Sequence, residues 1–139
     1  MKRIATIVFI VGVAITGVVA GQALANGGTA PVYRNSGHDC ADGATDPYDQ
    51  VGHVMMNETH GRVVGTVELD HVAAYSSFPI TLVQNHPCNS TFVGTLKTDS
   101  HGDGLLNFSA PVSRGAYEAF ILTNHNSHPF ASGLVFISP

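Results

Sequence analysis

The sequence predicts an all-β protein built as a single antiparallel β-sandwich of seven or eight strands. From Val51 onward, short apolar runs alternate with turn residues at a spacing of about ten to fifteen positions. Between Arg62 and Asp70 the chain alternates: Val63, Gly65, Val67 and Leu69 share one face, and Arg62, Thr66, Glu68 and Asp70 share the other. That is the period-2 pattern of a half-buried strand. No stretch beyond the first 25 residues repeats its apolar positions at helical spacing. A flat sheet could not bury so many apolar positions, so the strands must form two packed layers or, as the alternative architecture, a closed barrel.

The chain opens with a leader. Lys2 and Arg3 precede an uncharged run from Ile4 to Ala20, and Ala23-Leu24-Ala25 ends it in an Ala-x-Ala pattern. Residues 1–25 are expected to be a secretory signal peptide cleaved after Ala25. An uncleaved anchor is the alternative, although the apolar run is short against the roughly 20 residues of a typical span. Without the leader, 114 residues remain with four basic and ten acidic side chains, a net charge of −6. That balance argues against nucleic acid and against a polybasic lipid-binding surface. No membrane span is expected after cleavage, and the location expected is secreted, extracellular or cell-surface.

Residues 26–50 form an acidic segment rich in Gly and Asp. Pro31–Arg34 reads as a short edge strand, and the stretch from His38 to Asp49 reads as a loop holding Asp39, Asp42, Asp46 and Asp49. The sandwich domain is expected over 51–139. Its strands are Gly52–Met56, Arg62–Val72, Ile80–Gln84, Thr91–Thr98 (with Phe92, Gly94 and Leu96 on one face), Leu106–Ala110, Tyr117–Thr123 and Leu134–Ile137. Tyr117–Thr123 is apolar on both faces and belongs at the centre of a sheet.

Cys40 and Cys88 are the two cysteines, and an exported chain makes them a disulfide. Metal-binding or redox thiols are the alternative, but the pair lacks CxxC spacing. Asn57, Asn89 and Asn107 begin N-x-S/T triplets and are possible N-glycosylation acceptors.

Eight histidines carry the remaining chemistry. If consecutive strands are antiparallel, alternate loops share one end of the fold. His60 and His86 fall at the end of Cys88, and the disulfide would bring His38 and Asp39 there. His71, His101, His125 and His128 fall at the opposite end with Asp70, Asp99 and Asp103. Imidazole suits zinc and copper, so His71, His101, His125, His128, Asp99 and Asp103 are the candidate metal ligands. The bland reading is solvated polar loops. Asp99-x-His101-x-Asp103-Gly104 has the start of a calcium loop, but His at its third position and Ala110 at its twelfth favour a plain hairpin turn. No nucleophile motif or phosphate-binding loop is present.

Gly94-Thr95-Leu96-Lys97-Thr98-Asp99-Ser100-His101-Gly102-Asp103-Gly104, followed by Phe108, Pro111 and Gly115-Ala116-Tyr117, resembles small Ig-like modules of secreted and cell-surface bacterial proteins. The resemblance covers about a third of the chain after the leader. It implies an Ig-like sandwich and an extracellular structural or binding role. The chain has no Trp, so an antibody-type domain is not implied. The function expected is therefore a non-enzymatic structural, adhesive or protein-binding module whose partner is a protein or cell-envelope component. An extracytoplasmic zinc- or copper-binding protein is the alternative, and a small secreted hydrolase the third reading.

Overall fold

The computed structural model describes residues 27–35, 37–85, 88–125 and 128–137. The expected signal peptide and His86 lie outside them.

The described residues form eleven strands: β1 (Gly27–Asn35), β2 (His38–Asp39), β3 (Gly43–Ala44), β4 (Pro47–Thr59), β5 (Arg62–Leu69), β6 (Ser77–Gln84), β7 (Asn89–Lys97), β8 (Gly104–Pro111), β9 (Glu118–His125), β10 (His128–Ser132) and β11 (Val135–Phe136). One antiparallel sheet runs β7-β6-β9-β10-β1-β4-β5-β8, with β11 also on β9. Its two end strands, β7 and β8, are consecutive and lie side by side, so the sheet curls into a nearly closed barrel. The ladder is thus continuous, where two separate layers were expected. Curling meets the same burial requirement by turning one face of the sheet inward. Val32, Val54, Met56, Val67, Ile80, Leu82, Leu96 and Ile121 fill the interior with no exposed surface.

Several sequence boundaries move. Pro31–Arg34 belongs to β1, which is no edge: it pairs with both β4 and β10. The first 25 residues after the leader therefore contribute an integral barrel strand, and β4 begins at Pro47, ahead of the expected boundary at residue 51. The segment expected as a loop after Thr123 holds β10, opposite the end of β9. Phe92 faces outward and is 63% exposed. A bulge causes this: Ile80 pairs with Gly94 but Thr81 pairs with Phe92, so Val93 is an extra residue that inverts the alternation.

β10 and β11 are one strand interrupted by a second bulge. Ala131 opposes Leu122 and Val135 opposes Ala119, four steps against three. At the interruption the Ser132 hydroxyl replaces a backbone acceptor, taking the Ile121 N–H at 3.0 Å and donating to the Gly133 carbonyl at 2.8 Å.

The strand order is that of a Greek key. The β5–β6 connection must pass the β7–β8 turn at one end, and the β8–β9 connection must pass the β6–β7 connection at the other. Each crossing is hydrogen-bonded. At the second end, fully buried Gln84 accepts from Ser113 N (2.7 Å) and donates to the Pro111 carbonyl (3.0 Å).

The chain between β1 and β4 forms a strap over the outer wall. Asn35 and Pro47 are register partners, and between them β2 and β3 form a small hairpin. Cys40 is joined to Cys88 with a Cα–Cα distance of 5.8 Å. Gly43 adopts φ +69°, and a Cβ there would lie 2.7 Å from the Ser132 carbonyl oxygen and 3.5 Å from Phe120 Cβ. Only glycine allows this approach without strain. Beneath the strap, Phe120, Ala131 and Val83 are buried although they stand outside the main core cluster.

Candidate functional site at the histidine end

The antiparallel registers of β6 with β7 and β9 place Ser77 beside Lys97, and Gln84 beside Asn89 and Ala119. Cys88 is therefore at one end, with the β4–β5 and β8–β9 connections. His71, His101, His125 and His128 are at the other, with Asp70, Asp99 and Asp103.

Two loops at this histidine end are bound into one cap. The Thr98 hydroxyl donates to the Ala73 carbonyl at 2.6 Å and accepts from Ser76 N at 2.9 Å. Val72 N donates to the Gly102 carbonyl (3.1 Å), Tyr75 N to the Asp99 carbonyl (3.0 Å) and His71 N to Asp103 Oδ1 (2.8 Å). Gly102 has φ +84°, and a Cβ there would strike the Val72 carbonyl.

Asp99 Oδ1 accepts from Asp103 N (3.1 Å) and His101 N (2.7 Å). The Asp103 N–H first, then the His101 N–H, holds this carboxyl below the ordinary value of 3.8. Both candidate acidic ligands thus accept hydrogen bonds from loop backbone, and the Asp99–Asp103 segment is a hairpin turn.

The candidate ligands divide. His71 Nδ1 is 3.8 Å from Asp103 Oδ1, with its ring 86% exposed. His101 is exposed on the turn. His125 lies against Phe78 with centroids 4.6 Å apart, and His128 is its register partner on β10. Among the described residues no three of His, Cys, Asp or Glu converge to hold an ion. His38 lies over the wall towards the Cys88 end, its ring 6.3 Å from that of Phe120, whose partner Val83 is one step from the Gln84–Ala119 pair. His60 occupies the β4–β5 turn at φ 52°, followed by Gly61 at φ 73°. Two consecutive positive φ values are the pattern of a type I′ hairpin.

A continuous stack closes the mouth at the histidine end. The Arg34 guanidinium lies 5.4 Å over Phe130, Phe130 stacks on Phe78 at 5.6 Å, and Phe78 meets His125. Asp49 lies 3.8 Å from Arg34.

The feature that sequence reading missed is Tyr75. It is 81% exposed at φ 50°, a left-handed conformation uncommon for an aromatic residue. Its only signal was a lone aromatic side chain among the small residues of a turn. The potential acceptors Asn57, Asn89 and Asn107 are all exposed. Asn89 donates to Ser113 Oγ at 3.0 Å, and Asn107 accepts from Thr66 Oγ1 at 2.7 Å.

Comparison of the chain with protein-family models, with curated proteins and with solved structures finds no match.

Proposed function

We propose that this chain is an exported, non-enzymatic binding module that presents the histidine end to a protein or cell-envelope component. The carrying observation is Tyr75. Its backbone N–H is fixed to the Asp99 carbonyl while its side chain stands 81% exposed. Tyrosine suits a contact surface because it offers a large amphipathic area for little conformational entropy. A left-handed backbone held by the neighbouring turn is a strained arrangement of the kind found at recognition sites.

Export is supported by the Cys40–Cys88 disulfide and by the signal-peptide pattern of residues 1–25. The resemblance to small Ig-like modules of secreted and cell-surface bacterial proteins adds to the structural or adhesive reading. Under this proposal the exported product begins at Asn26.

A photo-crosslinking residue at position 75, compared with one at Arg114 on the opposite end, tests the proposal in exporting cells. A discrete adduct from position 75 and none from position 114 is the expected result. Equal labelling from both, or none, overturns the binding role. Recovery of uncleaved chain with free thiols from the cytoplasm overturns export.

A further inference from the structure

We propose that His125 and His128 together form a two-point chelate for a divalent transition-metal cation, copper(II) in preference to zinc(II). The two residues are direct register partners on β9 and β10. Directly opposed residues in an antiparallel pair project to the same face, with Cβ atoms about 4.5–5.5 Å apart. That spacing allows two imidazoles to converge on one ion at the roughly 2.0–2.1 Å of a metal–nitrogen bond.

The face is the inward one, at the mouth of the barrel. Ile121 and Thr123, which precede His125 on alternate positions of β9, are both buried, as is Phe130, which pairs with Thr123. The Phe78 ring against His125 limits where that imidazole can lie, while exposed His128 is free to close on it. Thr123 Oγ1, on the same inward row, is buried without a hydrogen-bond partner among the described residues. It offers an oxygen to a water carried by the cation. Imidazole nitrogen binds both ions, and copper(II) is the strongest binder of the divalent first-row series. This pair needs neither Asp99 nor Asp103, and it stands independently of the role given to Tyr75.

Copper(II) added at one equivalent to the full chain, followed by electron paramagnetic resonance, tests the proposal. Hyperfine structure from two imidazole nitrogens is expected. In competition titrations His125→Ala and His128→Asn should each weaken copper binding at least about tenfold, while His71→Ala and His101→Ala should stay within about twofold, since only loss of a chelating arm removes the second, intramolecular contact. His128→Asn is the deciding variant, because its exposed ring can be lost without disturbing Phe78. Unchanged affinity in His128→Asn, or an equal loss in the His71 and His101 variants, overturns the site.

Discussion

Phe120 and Val83 stand opposite each other on adjacent strands, both buried and both on the outside of the barrel. The strap buries them, and the disulfide fixes the strap. The chain-entropy model assigns about 4 kcal/mol to closing a loop of this span. Cys40→Ser combined with Cys88→Ser should therefore lower the unfolding free energy by about that amount in denaturant titration. The barrel ladder should survive, since Cys40 lies outside it. An unchanged midpoint, or loss of cooperative unfolding, would contradict this account.

Phe120 and Phe92 should respond oppositely to truncation. Phe120→Ala opens a cavity under the strap and should cost about 3–5 kcal/mol. Phe92→Ala removes an exposed ring and should stay within about 0.5 kcal/mol. Equal losses in thermal unfolding would mean that the bulge at Val93 is misplaced.

Ser132→Ala should cost about 1–3 kcal/mol, because the buried Ile121 N–H loses its acceptor. Hydrogen exchange gives the local reading: the Ile121 amide should lose protection while Phe130, further along β10, keeps it. Retained protection at Ile121 would show that another acceptor replaces the hydroxyl.

Asp99 supplies a pH dependence. Its folded carboxyl lies below 3.8, so the unfolded chain takes up the proton first as pH falls. The stabilisation is fully present above the unfolded value and is lost as pH drops through the folded one. Asn in its place keeps an acceptor but no charge. The Tm difference between the parent and Asp99→Asn should be constant near neutrality and close below about pH 4. A difference that widens in acid would invert the sign and remove the backbone N–H groups as its cause.

The barrel strands were legible wherever one face is buried and the other solvated. Arg62–Leu69 is the clearest case, because a period of two is imposed by the pleat and written into Val63, Val67 and Leu69. The division of loops between two ends was legible too, since antiparallel strands alternate direction. Phe92 was not, because one inserted residue inverts the phase and leaves no mark in composition. Nor was Phe120: a strand apolar on both faces announces burial without saying what covers it.

By itself the sequence determined an antiparallel all-β chain, a cysteine pair able to close a loop, and four histidines gathered at one end. These follow from local periodicity, chain separation and alternation, all of them properties of residues in order. Tertiary structure alone decided that the sheet closes on itself, that β1 sits between β4 and β10, and that Asp99 and Asp103 serve backbone N–H groups. It also decided that His125 faces His128 and that Tyr75 is held out to solvent. The closure, the place of β1, the His71–Asp103 bond and the hold on Tyr75 depend on which distant segment a strand or loop meets, which the packing of the whole barrel settles. The Asp99 bonds and the His125–His128 pairing join residues two to four positions apart and depend on a backbone geometry that residue order does not specify.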